Sequence, residues 1–122
     1  MTENLLVSIK AAIKAGEEIL KIYHNENFDI EIKSDDSPLT TADRNAHKII
    51  VENLSATSIP ILSEEGKNIP FVERSKWNQY WLVDPLDGTK EFIKRNGEFT
   101  VNIALIEKGI PSLGVIYVPV TK

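Results

Sequence analysis

Two short apolar runs in the chain each lead straight into acidic residues. The runs are Ile59–Leu62 and Tyr80–Val83, and the carboxylates that follow them are, in chain order, Glu64, Glu65, Asp84 and Asp87. Apolar runs of this length, bounded by turn residues, are typical of buried strands. If the two strands are neighbours and point the same way, their ends bring up to four carboxylates to one edge of a sheet. This pattern constrains the fold more than any other feature, because it requires a particular pairing and direction of strands.

Carboxylates that lie close together repel and take up protons unless a cation neutralises them. Mg²⁺ suits such a position, since it prefers oxygen ligands and keeps water and phosphate oxygens in its shell. Zinc is disfavoured, because the 122 residues include no cysteine and only two histidines, His24 and His47. Each acidic pair alone is more often a solvated turn, so the hypothesis of a metal site depends on their joint occurrence.

The segment from Asp84 to Lys90 contains the features of a turn that binds a ligand. Pro85 stiffens the backbone, so that two carboxylates and the carbonyl of Leu86 can face one ion. Gly88 lets the backbone approach a ligand closely. If Thr89 begins a helix, its free N–H groups form an anion site. Together these features predict a phosphate-binding pocket.

Hydrophobic spacing predicts the remaining elements. Apolar residues at three- and four-residue steps indicate a first helix over residues 5–23, with Thr2 as its N-cap, and a second over residues 42–54, with Thr40 and Asp43 at capping-box spacing. Asp43 on its own is more often a cap than a catalyst. Alternation predicts strands over residues 28–32, 99–105 and 113–120, with a turn at residues 107–109. Helices come first and strands follow, so the fold class is α+β or a layered αβ arrangement.

Composition excludes several classes of protein. The 14 basic and 18 acidic residues give a net charge of −4, equal in size to the four carboxylates named above, and this balance argues against a nucleic-acid binder. The lack of cysteine excludes a disulfide scaffold and a catalytic thiol. No apolar run reaches the length of a membrane span and no signal peptide is evident. We expect a soluble cytoplasmic protein, with a peripheral position at the inner face of a membrane as the alternative.

Three motifs, in order, resemble those of the Mg²⁺-dependent, lithium-sensitive phosphatases of the inositol monophosphatase superfamily. They are Lys33–Asp43, Leu62–Gly66 and Trp81–Thr89. The resemblance implies the sugar-phosphatase fold, with two helices packed on a sheet that is mostly antiparallel. The segments Asp87–Phe92 and Asn96–Ala104 are similar to the 3′(2′),5′-bisphosphate nucleotidases of the CysQ type, whereas inositol phosphatases typically have Thr-Asn-Phe in place of Lys90–Phe92.

The resemblance also implies roles for individual residues. The enzyme would hold two or three Mg²⁺ ions, and their ligands in this chain would be Glu64, Asp84, the Leu86 carbonyl and Asp87. Asp43 and Thr89 would orient and deprotonate the attacking water. Substrate contacts would come from Glu64, Asp87, Gly88 and Thr89, the last two through backbone amides that bind the scissile phosphate. Lys33 and Glu65 would support the site.

The activity implied is hydrolysis of adenosine 3′,5′-bisphosphate to AMP and phosphate, as in sulfur assimilation. The expected partner is therefore a small phosphorylated nucleotide. The resemblance is compatible with an oligomer. An inositol or other sugar phosphatase is one alternative, and a non-catalytic metal-binding fragment is another.

The chain is about half as long as members of that superfamily. It lacks their Trp-Asp motif, because Trp77 precedes Asn78 and Trp81 precedes Leu82. Residues 1–122 are therefore interpreted as an N-terminal portion, without the C-terminal domain that completes the metal site and the substrate pocket. The two-stranded ribbon that ends the chain would leave an exposed edge unless a further strand pairs with it.

Overall fold

Two long helices cover one face of a four-stranded sheet in this structure, a computed structural model that describes residues 3–24, 38–63 and 69–121, without the side chains of residues 38–40. The helices are α1 (Glu3–Tyr23), α2 (Pro38–Leu54), α3 (Phe71–Arg74) and α4 (Thr89–Lys94), and a 3₁₀ turn spans Ser55–Thr57. The strands are β1 (Ile61–Ser63), β2 (Gln79–Asp87), β3 (Thr100–Glu107) and β4 (Ile110–Tyr117). The layered αβ class is confirmed. The predicted strand over residues 28–32 and the N-cap at Thr2 lie outside the described residues.

The sheet has the strand order β1-β2-β3-β4. β1 and β2 are parallel, whereas β2–β3 and β3–β4 are antiparallel. Lys108 and Gly109 close the β3–β4 hairpin, both with positive φ, as its two-residue connection requires. The predicted parallel pairing of β1 with β2 is confirmed. The returning strand starts three residues earlier than predicted, at Ile110, and ends at Tyr117.

The core lies between the helices and the inner face of the sheet. From the sheet it contains Trp81, Val83, Val101, Ile103 and Leu105, all nearly inaccessible to solvent. The buried stripe of α1 runs through small residues and ends in two larger ones; its members are Ser8, Ala11, Ala12, Ala15, Gly16, Ile19 and Tyr23. Leu6 and Ile13, which the periodicity predicts on the buried side, are instead exposed. Small residues on the buried stripe let the backbones of packed elements approach closely.

Helix α2 begins four residues earlier than the predicted Ala42. Pro38 is its first residue, a position where proline is favoured because its missing N–H would be unpaired there anyway. The first turn consequently contains no acidic residue, and Thr40 lies inside the helix rather than at its N-cap. The capping-box interpretation of Thr40 and Asp43 is wrong, and Asp43 falls in the second turn.

None of the helices in the described parts of the chain is both long and apolar enough to cross a membrane.

Candidate metal and phosphate site

The parallel pairing of β1 and β2 brings the ends of the two apolar runs to one edge of the sheet. Ser63, the last residue of β1, is in register with Val83 of β2. Asp84 is the next residue after Val83, and Glu64 is the next after Ser63 in the sequence. The two acidic segments thus start from paired positions. Glu64 and Glu65 themselves, like Lys33, lie outside the described residues.

A β-bulge separates Asp84 from Asp87. Asp84 pairs with Asn102 and Asp87 pairs with Thr100, so three steps along β2 oppose two steps along β3. In a regular strand two residues three apart face opposite sides of the sheet. The extra residue cancels that alternation: Pro85 and Leu86 are both buried, and both aspartates reach solvent.

Residues 84–87 are therefore strand rather than the predicted turn. Pro85 has no backbone N–H for a regular ladder, and prolines within sheets are confined largely to edges and bulges. Its burial, together with that of Leu86, anchors the segment in the core and fixes the direction of the Leu86 carbonyl. A proline two residues after the apolar run Tyr80–Val83, followed by a further apolar residue, is the sequence signal that could have predicted the bulge.

Asn102 links the two aspartates across the bulge. It is the register partner of Asp84, and its Nδ2 donates to Asp87 Oδ2 over a long 3.4 Å and to Thr100 Oγ1 over 2.9 Å. The sequence gives Asn102 no role beyond an alternating position of β3. Its place opposite Asp84, with a hydrogen bond to Asp87, makes it a site neighbour that sequence reasoning missed.

Gly88 and Thr89 form the start of α4. Gly88 has φ 94° and ψ 54°, in the left-handed region, and its carbonyl accepts a hydrogen bond from Phe92 N at 3.0 Å. Thr89 is exposed, so its hydroxyl is open to solvent. The predicted helix start at Thr89 is confirmed, although the helix has only six residues.

Asp43 lies in the second turn of helix α2. α2 packs against β1, β2 and α4, so the helix that carries Asp43 contacts the strand of Asp84 and the helix of Thr89. Asp43 is partly buried, and its Oδ1 atom is inaccessible to solvent. One turn further along α2, the Nδ1 atom of His47 forms a 2.9 Å hydrogen bond with Ser63 Oγ at the end of β1.

The donor chemistry of this edge fits Mg²⁺. Asp84 and Asp87 supply carboxylate oxygens, and Leu86 supplies a carbonyl, all of which are hard oxygen ligands. Over residues 3–24, 38–63 and 69–121, no group of three or more His, Asp or Glu side chains is placed to hold a metal ion. Glu64, which the sequence predicts as a further carboxylate ligand, lies outside these residues.

Comparisons with known proteins agree in family. The model of the inositol monophosphatase family matches residues 1–122. The 3′(2′),5′-bisphosphate nucleotidase CysQ of Salmonella typhimurium is 56% identical over 114 residues, which are 91% of this chain and 46% of that protein. CysQ of Haemophilus influenzae is 38% identical over 122 residues, 98% of this chain and 45% of its own length.

Among solved structures, CysQ from Bacteroides thetaiotaomicron has a TM-score of 0.91 at 60% identity, over 96% of this chain and 42% of that one. The suhB protein from Bartonella henselae has a TM-score of 0.78 at 34% identity, over 98% and 45%. The chain therefore spans somewhat less than half the length of each of these relatives.

Proposed function

Since the chain belongs to the inositol monophosphatase family, we propose that it supplies the metal- and phosphate-binding part of a Mg²⁺-dependent phosphatase. The substrate we propose is adenosine 3′,5′-bisphosphate, cleaved to AMP and phosphate. The observation that supports the proposal is the parallel β1–β2 pair with the bulge at Asp84–Asp87. Asp84 directly follows the residue that pairs with Ser63, and Glu64 follows Ser63 in the sequence. The choice of substrate rests on the CysQ relatives.

In the proposed site, Glu64, Asp84, Asp87 and the Leu86 carbonyl hold the Mg²⁺ ions. When bound, the metal lowers the pKa of water and offsets the negative charge of the phosphoryl oxygens. Backbone amides of Gly88 and Thr89 bind the scissile phosphate. Lys33 and Glu65 add supporting charges outside this set.

Asp43 and Thr89 handle the proton of the attacking water. The Thr89 hydroxyl donates a hydrogen bond to the Asp43 carboxylate, and it would pass its own proton to that carboxylate as it accepts the proton that leaves the water while the water oxygen bonds to phosphorus. The ester P–O bond breaks on the opposite side, and the 3′ oxygen of AMP takes a proton from solvent. The exposure of Thr89 and the partial burial of Asp43 suit this division, because water must reach one group and the other must hold a fixed orientation.

The same proposal includes the biological setting. Removal of adenosine 3′,5′-bisphosphate serves sulfur assimilation, in the cytoplasm, and we expect inhibition by Li⁺. Two Mg²⁺ ions, or three, are expected in the enzyme with both of its halves.

The test uses a fusion of this chain to the part of Salmonella typhimurium CysQ that lies beyond the matched segment, here called the completed enzyme. We expect Asp84→Asn to abolish Mg²⁺-dependent phosphate release, because the proposed ions share that carboxylate. Thr89→Ala should lower kcat about 100-fold, in the range of general-base losses, with little change in the Mg²⁺ concentration for half-maximal rate. Glu52→Gln, on the exposed side of α2, is the matched control and should leave the rate unchanged.

An inositol or sugar phosphatase is the second candidate, favoured by the similarity to an inositol monophosphatase from Zymomonas mobilis, which has a TM-score of 0.79 at 29% identity. Phosphate release from adenosine 3′,5′-bisphosphate and from inositol 1-phosphate, measured in the completed enzyme, separates the two. Equal or faster turnover of the inositol ester would contradict the nucleotidase proposal and support the second candidate.

A further inference from the structure

His47 joins two parts of the candidate site that the proposed mechanism leaves unconnected. It lies on α2 four residues after Asp43, and residues at that spacing share one face of a helix. Its Nδ1 atom is 2.9 Å from Ser63 Oγ, and both side chains are partly buried. None of the proposed metal-binding or proton-transfer roles uses either residue.

Ser63 is the point at which β1 ends. β1 has only three residues and lies at an edge of the described sheet, with β2 as its strand neighbour. Such a short strand contributes few ladder hydrogen bonds, so its position along β2 is weakly fixed by the backbone alone. A side-chain hydrogen bond to a long helix adds the constraint that the strand lacks.

The register of β1 decides where the acidic pair begins. Ser63 is opposite Val83, one residue before Asp84, and Glu64 follows Ser63 in the sequence. A shift of β1 by a single residue would move its side chains to the other face of the sheet. It would also change which residue of β1 pairs with Val83, the residue before Asp84. The hydrogen bond between His47 and Ser63 therefore acts on the register of the residue that Glu64 follows in the sequence.

We propose that His47 is a positioning residue of the metal site, which fixes the end of β1 against α2 through its hydrogen bond with Ser63. The role rests on the proposed function, because it matters only if Glu64 and Asp84 share a cation. Residues that orient metal ligands typically change metal affinity or activity by about 10- to 100-fold when they are removed.

The contact itself can be tested without metal or substrate. The chain has two histidines, so ¹⁵N NMR of the imidazoles, with a His24→Gln variant for assignment, isolates the His47 signals. We expect Ser63→Ala to change the His47 Nδ1 shift and tautomer balance while Ser58→Ala, on an exposed neighbouring turn, leaves them unchanged. An unaltered His47 spectrum in Ser63→Ala would overturn the proposal.

The positioning role is tested by Mg²⁺ binding to the completed enzyme, measured by titration calorimetry without substrate. We expect His47→Leu to weaken Mg²⁺ binding at least tenfold. His47→Asn, whose amide can replace the Nδ1 contact, should stay within about threefold of the unsubstituted enzyme. Lys48→Leu, one residue along on an exposed position of α2, is the control for a leucine at this level of the helix.

Ser63→Ala should reproduce the effect of His47→Leu, and the double variant should add little, because both remove one hydrogen bond. Mg²⁺ binding by both variants equal to that of the unsubstituted enzyme would overturn the positioning role and leave the proposed function intact. Losses that add in the double variant would also overturn it. Absence of Mg²⁺ binding by the unsubstituted enzyme would instead contradict the proposed function and, with it, the role of His47.

Discussion

Gly88 shows how one residue sets the geometry of the candidate phosphate site. Its φ of 94° is a conformation that residues with side chains rarely adopt, and a Cβ atom there would lie 3.3 Å from Phe99 Cα and 3.0 Å from Glu91 Oε1. Glu91 can swing aside, but the backbone of Phe99 is fixed by a fully buried side chain. Glycine is therefore needed both for the backbone angle and for the close approach of Phe99, the residue that precedes β3.

We predict that Gly88→Ala lowers the free energy of unfolding by about 1–3 kcal/mol, the cost of a left-handed conformation at a residue with a side chain. Urea unfolding followed by the fluorescence of the buried Trp81 measures the loss. Gly109→Ala is the matched control, since Gly109 has φ 79° and nothing within 4 Å of an added Cβ. A loss at Gly88 no larger than that at Gly109 would contradict the close-approach argument.

Trp81 depends on a single hydroxyl for its indole hydrogen bond. The side chain is fully buried, and its Nε1 atom donates to Thr57 Oγ1 at 3.0 Å. We predict that Thr57→Val destabilises the fold by about 1–3 kcal/mol, because a buried donor is left without its acceptor. Thr57→Ser keeps the hydroxyl and should retain most of the stability. Equal thermal midpoints for the two variants would refute the role of this hydrogen bond.

Among the elements, local sequence patterns predict the first part of β2 correctly but not its last residues. The apolar run Tyr80–Val83 predicts a strand, and the structure confirms it. Pro85 and Gly88 indicate a turn, yet the strand continues to Asp87. Pro85 and Leu86 are buried, and the bulge between Asp84 and Asp87 interrupts the ladder where Pro85 has no N–H to donate. Whether such a segment turns or bulges depends on what packs over it, and that information is not local.

The helices show a similar division. The spacing of apolar residues correctly predicts α1 and α2, since both periodicities are local. The same spacing includes Ala12, Gly16, Ile19 and Tyr23, which are buried, but also Leu6 and Ile13, which are exposed. The packed stripe uses Ser8, Ala11 and Ala15 in addition. Side-chain size alone favours burial of leucine and isoleucine, but the distance to the neighbouring elements selects small residues.

Gly16 is where α1 meets β4 most closely. An added Cβ would overlap the Tyr117 ring, whose Cδ2 would be 2.8 Å away, and would lie 3.2 Å from Pro119 Cγ. We predict that Gly16→Ala destabilises the protein, because overpacking typically costs about 1–3 kcal/mol and the gain in helix propensity is about 1 kcal/mol. Urea unfolding gives the net effect.

The matched experiment repeats Gly16→Ala in a Tyr117→Ala background. Removal of the ring should leave only the propensity gain, so the substitution should become neutral or stabilising there. The same loss in both backgrounds would show that the ring does not limit the approach of the helix.

At the scale of the whole molecule, the sheet has one covered face and one open face. Leu82 is 41% exposed and Ile116 is 74% exposed on the side away from the helices. In the described residues β4 also pairs on one side only, with β3. The sequence predicts this open edge at the end of the hairpin, but it does not predict the strand order or the apolar outer face, which depend on contacts between distant residues.

We predict that the 122-residue chain alone hydrolyses adenosine 3′,5′-bisphosphate far more slowly than the completed enzyme. The reason is the absent Trp-Asp motif and substrate wall, which the family resemblance assigns to the other half. Phosphate release at saturating Mg²⁺, measured for both proteins at equal concentration, is the comparison. Mg²⁺-dependent turnover by the short chain within about tenfold of the completed enzyme would contradict the prediction.

The contact between Gly16 and Tyr117 has a consequence for the order of synthesis. The two residues are separated by almost the whole chain, so the stripe of α1 that faces β4 stays uncovered while a ribosome adds the next hundred residues. The β3–β4 hairpin, in contrast, closes over two residues as soon as both strands have emerged. On the ribosome the β3–β4 hairpin would therefore form before α1 has its full set of neighbours, and a factor that binds nascent chains would find its apolar target on α1.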